Sequence, residues 1–355
     1  MKSTFLHSVL LALSACALAS YFVVPTIDYA AESAVCTPVF GAVNDIRDFG
    51  VQPSVAAHRS GLILEFHKTE NRLSSAIWYR VGALHATGVV WGGSQRAADT
   101  GWWPTVALSE EGHVILVHSA SEIKNGSNLY YRVGEIDPYG GINQSILWKT
   151  ETIYWDAGFH SSVAMNDNGV IVGVHETGHA RTGIYYRVGH LRNPAGGDYT
   201  IQWDSGQNGI QYDNGINPHV AINNLNQVVA VHQVTGESLL QYRRGTLSGG
   251  TIHFGGSKRY DDHAERAAVA LLDSGVVLEV HSKGGLISRT GTLNASQPDA
   301  IAWSQPIKID GRDKLTYPAL AMSGTSAIAT CETDAPGASD NRCLRYTIAT
   351  NCGSF

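Results

Sequence analysis

The chain has 355 residues, of which 43% are hydrophobic and only 16% charged, with 38 glycines. This profile provides a sizeable core and many tight turns between short strands, and it argues against long charged helices. A formal net charge of -6 disfavours electrostatic capture of nucleic acid or of an anionic membrane, since both need basic patches.

At the N-terminus a basic start, an apolar run from Phe5 to Ala19 and the small residues Ala17 and Ala19 before Ser20 read as a signal peptide over residues 1–19. A rival parse takes Leu13-Ser14-Ala15-Cys16 as a bacterial lipobox, with Cys16 carrying a lipid anchor. The following SYFVVPTIDYA is not the polar tether that an anchored protein would carry. Residues 20–37 are a lead segment. No other run approaches the ~18 apolar residues of a membrane span, so the expected product is secreted and extracellular.

From here the chain repeats itself. QPSVAAHRSGLILEFHK, WPTVALSEEGHVILVHS, SSVAMNDNGVIVGVHE, PHVAINNLNQVVAVHQ, AAVALLDSGVVLEVHS and YPALAMSGTSAIATCE begin near Gln52, Trp103, Ser161, Pro218, Ala267 and Tyr317. Each holds a short apolar strand, a Gly or Asn turn and a second apolar strand. A third strand follows in AIWYRVGAL, LYYRVGEI, IYYRVGHL, LQYRRGTL, LISRTGTL and CLRYTIAT, rich in Tyr, Ile and Val. A fourth is marked in five units by Val90-Trp91, Leu147-Trp148, Gln202-Trp203, His253-Phe254 and Ala302-Trp303. The histidines ending the second strands, His67, His118, His175, His232 and His281, are spaced by 51, 57, 57 and 49 residues. Four strands in about fifty residues is the period of a propeller blade, which predicts an all-β, six-bladed β-propeller over residues 38–352 with a tail at 353–355.

The sixth unit lacks its fourth strand, and the missing strand sits at the other terminus. VFGAVNDIRDFGVQPSVA, from Val39, superimposes without gaps on HFGGSKRYDDHAERAAVA, from His253, so Phe40 takes the position of Phe254 and an N-terminal outer strand closes the last blade. Setting Cys16 aside, four cysteines remain, an even number in an oxidising compartment. Of three connectivities, the placement of the strands favours a terminal clasp between Cys36 and Cys352 and a hairpin staple between Cys331 and Cys343. No two of them have the spacing of a zinc pair, and no cofactor or metal is expected.

A residue present in almost every unit reads as scaffold first, so the five histidines are expected to hold blades together, with ligand binding at His175, His232 and His281 as the rival. Tyr79, Tyr131, Tyr186 and Tyr242 are expected between blades, and Arg80, Arg132, Arg187 and Arg243 over the outer surface. The segments linking blades carry Trp102, Trp103 and the recurring pairs Trp155-Asp156, Tyr212-Asp213 and Tyr260-Asp261. Read as loops on the histidine-bearing face, these supply what sugar recognition needs: a ring to stack on a pyranose and carboxylates to choose among hydroxyls. Filling the gaps between blades is the competing role for the same rings.

Signatures of a Ser elbow, a zinc helix, a phosphate loop or a sialidase Asp box are absent from the sequence. In architecture the repeats resemble propeller lectins and tectonin-like modules, a resemblance that covers residues 38–352 and carries over no site residue. It implies a secreted, multivalent, lectin-like protein whose partner is a glycan or glycoconjugate, with repeated weak sites acting together. The alternative is an extracellular carbohydrate-active enzyme, a polysaccharide lyase or glycoside hydrolase drawing on His160, His175, Glu176, His179, Glu265 and Arg266. A protein-interaction platform is the third reading. A lectin predicts near-equivalent pockets between blades, whereas an enzyme predicts polar groups gathered at one blade or over the axis.

Overall fold

Alternating apolar strands joined by turns that need a left-handed residue build the unit of this fold. In the computed structural model, which describes residues 38–69, 76–98, 100–121, 127–177, 183–193, 199–204, 209–310, 315–334 and 342–350, those units form six antiparallel sheets in a ring, a six-bladed β-propeller. The innermost strands are Val51–Ala57, Trp102–Leu108, Phe159–Met165, Ile216–Ile222, Glu265–Leu271 and Thr316–Ser323. The turn after each places a residue at positive φ: Gly61, Gly112, Gly169, Asn226, Gly275 and Gly324. Asn226 in the fourth blade shows that Asn serves there as well.

The ring closes as the sequence predicts. Val39 and Phe40 pair with Thr350 and Ala349 at the outer edge of the last blade, and Phe254 occupies the corresponding place opposite Gly245. Chain closure of this kind leaves no open sheet seam.

Each blade has the expected four strands, with the outer one split into two pieces that pair with the same third strand. In the first blade Gly88–Trp91 and Gln95–Ala98 both pair with Ile77–His85. The second pieces of the next three blades are Ile153–Ala157, Ile210–Asn214 and Lys258–Asp262. The segments expected to be blade-linking loops are therefore largely strand.

Apolar packing falls into six clusters, one at each blade boundary. The aromatic of the first outer piece wedges back against the preceding blade: Trp148 packs with Phe66 and Tyr79, and Trp203 with Trp155 and Tyr131. The third-strand tyrosines lie between blades as expected, and their hydroxyls also accept edge N–H groups of the next blade. Ile146, Ile252 and Ile301 donate to Tyr79, Tyr186 and Tyr242 at 3.0, 3.2 and 3.0 Å, which satisfies buried backbone at sheet edges.

Residues 1–37 and 351–355 lie outside the described residues, as do His179 and the Cys343 side chain. The lead segment, Cys36 and Cys352 fall among them. The backbone sets Cys331 opposite Arg345 and Cys343 opposite Thr333 on neighbouring strands. Among the described residues no helix is long and apolar enough to cross a membrane.

Candidate functional site

The structure places the recurring aromatic-Asp pairs within strands of the blades. Trp155 is 1% exposed and Tyr212 8%, and both are ring-stacked in strands on Trp203 and Phe254. Tyr260 stacks on Trp303 at 5.1 Å and its hydroxyl donates to Glu279. Trp102 is buried beneath the Lys68 ammonium, 3.3 Å from the ring centroid. These rings fill the gaps between blades, so the expectation of exposed stacking platforms is corrected for Trp102, Trp155 and Tyr212.

Their carboxylates form latches across blade boundaries. Asp156, on the outer strand of the second blade, meets His175 of the third at 3.3 Å and Arg187 at 4.0 Å. Asp213 meets His232 at 3.5 Å and Arg243 at 2.7 Å. Asp261 meets His281 at 3.4 Å and Arg289 at 2.7 Å. At the seam, Asp48 from the N-terminal strand meets His67 at 3.9 Å and Arg80 at 2.8 Å. The second-strand histidines at these boundaries are thus scaffold, and Arg187, expected on the outer surface, is buried. Burial raises the Asp213 carboxyl, but hydrogen bonds from Ser257 and the Asn214 N–H, with His232 and Arg243, outweigh it and hold the group below the usual range. His232 itself is lowered to about 4, first by desolvation, so it stands neutral at pH 7. Desolvation likewise lowers His118 to about 4.

A second set of six equivalent positions lies where the innermost strands start, around the axial opening on the histidine-bearing face. Gln52, Trp103, His160, Asn217, Arg266 and Tyr317 all have φ between 40 and 58°, and a register shift marks each strand there. Six non-glycine residues in the left-handed region cost about 1 kcal/mol or more each. Strain of this kind re-aims a side chain, here toward the axis. The scaffold columns repeat from blade to blade, whereas this column holds six different residues.

The six line a cup of ≈ 100 Å³, with a channel of ≈ 390 Å³ beyond it. Four of them meet across the opening. The Trp103 ring lies 4.1 Å from the His160 ring and 5.2 Å from that of Tyr317, and the Arg266 guanidinium sits 3.6 Å over Tyr317 and 5.6 Å from Trp103. Beneath them, Glu176 is fully buried, accepting from the Asn217 N–H at 2.5 Å and facing His160 Nδ1 at 2.6 Å. Fully buried Glu332 accepts from the Gln52 N–H at 2.6 Å, and Gln52 accepts from the Trp103 N–H at 2.8 Å. These bonds hold the strained positions from one blade to the next.

The channel wall caps its own inner edges. Ser54, Ser162 and His219 accept N–H bonds from Val106, Val220 and Val269 of the following blade at 3.1, 3.2 and 3.3 Å. Desolvation lowers His219 to about 4, in keeping with a neutral ring whose Nδ1 accepts.

Of the sequence-derived candidates, Trp103 reaches the cup, together with His160 and Arg266 from the enzyme alternative. Gln52, Asn217 and Tyr317 are additions. The signal for them was the variable column directly before the recurring Pro, Ser or Ala. Boundary grooves also exist: one of ≈ 540 Å³ includes His118, Tyr130 and Arg132, and one of ≈ 410 Å³ includes Tyr260, Asp261 and Lys283. Their linings differ. Among the described residues no group of three or more His, Cys, Asp or Glu is placed to hold a metal ion.

No known family model matches this chain, and no curated protein sequence does. Solved structures do. The α-L-arabinanase of Penicillium chrysogenum, complexed with arabinobiose, superimposes with a TM-score of 0.58 at 12% identity, over 90% of this chain and 100% of that one. A Trypanosoma rangeli sialidase gives 0.55 at 11% identity over 85% of this chain, which spans about half (54%) of the sialidase. An Aleuria aurantia lectin variant bound to Fucα1-6GlcNAc gives 0.52 at 11% identity, over 88% and 99%. At such identities the likeness is one of fold.

Proposed function

We propose that the protein recognises carbohydrate at the axial cup, through one principal site per chain. The observation that carries this is the convergence of Trp103, His160, Arg266 and Tyr317 from four blades onto one partly exposed platform. Two aromatic faces can stack on the apolar face of a pyranose, while His160, Asn217, Gln52 and Arg266 offer directional partners to its hydroxyls. Saccharide complexes among proteins of the same fold support the reading. The repeated, multivalent mode expected from the aromatic-Asp pairs loses its stacking platforms to the blade cores. The test is a glycan array followed by calorimetry, with Trp103→Ala abolishing binding and leaving the fold intact.

The pairing of His160 with Glu176 at 2.6 Å favours one further reading, an extracellular carbohydrate-active enzyme. A buried carboxylate behind an imidazole orients it as a base. Glu176 and Glu332 are both sequestered under backbone N–H groups, which suits a histidine-based lyase better than the two flanking carboxyls of hydrolysis. Depolymerisation of an offered polysaccharide that ceases in His160→Asn would support it; binding without turnover would dismiss it.

Export and two disulfides belong to the same proposal, supported by the N-terminal pattern of residues 1–19 and the even set Cys36, Cys331, Cys343 and Cys352.

A further inference from the structure

Arg266 is the residue of the cup whose chemistry is least explained by structure. Its backbone is in the left-handed region at φ 48°, a conformation that costs free energy for an arginine. Its guanidinium carbon sits over the Tyr317 ring, 3.6 Å from the centroid, and 5.6 Å from that of Trp103. Stacking of this kind occupies the face of the guanidinium and leaves its in-plane N–H donors available. Among the described residues no hydrogen bond or ion pair takes up those donors. The neighbouring carboxylates are engaged elsewhere: Glu265 accepts from Ser238 at 3.2 Å, Glu176 takes the Asn217 N–H, and Glu332 takes the Gln52 N–H.

The latch arginines Arg80, Arg187, Arg243 and Arg289, by contrast, each face an aspartate. Arg266 is partly exposed at the mouth of the cup, held rigid by two rings, and presents a planar fork of donors where a ligand would lie. Such a fork matches a carboxylate in bidentate geometry.

We propose that the cup selects saccharides bearing a carboxylate, with Arg266 as the specificity-determining residue and Trp103 and Tyr317 as the stacking floor. This inference rests on the carbohydrate reading above. The shared chemistry is a sugar carboxylate, whether that of a uronic acid or of a sialic acid.

The experiment is calorimetry at low salt with methyl β-D-glucuronide, N-acetylneuraminic acid and, as the neutral control, methyl β-D-glucoside. At least one of the acids should bind the parent protein about tenfold or more tightly than the glucoside, the scale of a charge-assisted hydrogen bond. Arg266→Gln should remove that preference, with the affinity for the acid falling about tenfold further than that for the glucoside. Gln52 already occupies the same position in the first blade at φ 58°, so this substitution has a precedent within the ring. Trp103→Ala should weaken acid and neutral sugar alike. Equal affinity for all three probes, or a preference that survives in Arg266→Gln, overturns the carboxylate proposal while the carbohydrate reading stands. No binding of these probes overturns the proposal, and silence on the full glycan array as well overturns the carbohydrate reading itself.

Discussion

Nε2 of His175 lies 3.3 Å from Oδ2 of Asp156 across the boundary between the third and second blades. The same contact recurs at His232 with Asp213 and at His281 with Asp261, so adjacent blades are joined by buried polar latches as well as by apolar wedges. Removing one partner strands a buried polar group, which costs about 1–3 kcal/mol. Asp213→Ala should therefore lower stability by about that amount, measured by denaturant unfolding. His232→Ala should also unfold earlier and leave affinity per folded molecule unchanged; lost binding at unchanged stability would return the histidine to the site.

Acid should weaken the fold in a defined window. His118, His219 and His232 have folded values lowered to about 4 from 6.5, so on acidification the unfolded chain takes up protons that the folded chain refuses. Stability then falls as pH drops from about 6.5 toward 4, by up to about 1.4 kcal/mol per pH unit for each histidine. His67 opposes this. Although desolvation lowers it, Glu65 and Asp48 raise it overall, so its contribution is complete below 6.5 and is lost as pH rises through its folded value. With three groups against one, the unfolding midpoint should decline on acidification, and His232→Gln should flatten the slope. Rising stability between pH 7 and 5 would contradict the assignment.

Strain at the cup can be measured directly. Asn217 has φ 52°, and its N–H bond to Glu176 survives in both Asn217→Gly and Asn217→Ala. The alanine variant should be less stable than the glycine variant by about 1 kcal/mol. Equal stability would mean that the left-handed conformation is not retained.

The proposed clasp predicts that Cys36→Ser melts earlier than the parent, by roughly 2–5 kcal/mol in stability, with its N-terminal strand exposed to protease. Peptide mapping without reductant should find Cys36 joined to Cys352 and Cys331 to Cys343. Parent and mutant melting together would remove the clasp.

The architecture was legible because it is repeated. Six copies of a strand-turn-strand pattern and the match of Phe40 to Phe254 locate both blades and seam, and the pairing of Phe40 with Ala349 agrees. The latches were half legible: Trp155-Asp156 and its equivalents stood out, but polar residues near Gly read as loop, and pairing within the split outer strand depends on contacts between blades. The cup was least legible. Gln52, Asn217 and Tyr317 share no residue type, and their common property is a left-handed backbone, held at Gln52 and Asn217 by buried Glu332 and Glu176. Variation inside an otherwise regular column was the available clue.

The most direct test of the account is calorimetric stoichiometry with a saccharide ligand found on the array, run on the parent and on Trp103→Ala. One site per chain, lost in Trp103→Ala while the thermal unfolding of the blades is retained, is the predicted result. Several sites per chain whose affinity ignores Trp103→Ala would contradict it and move recognition to the grooves between blades.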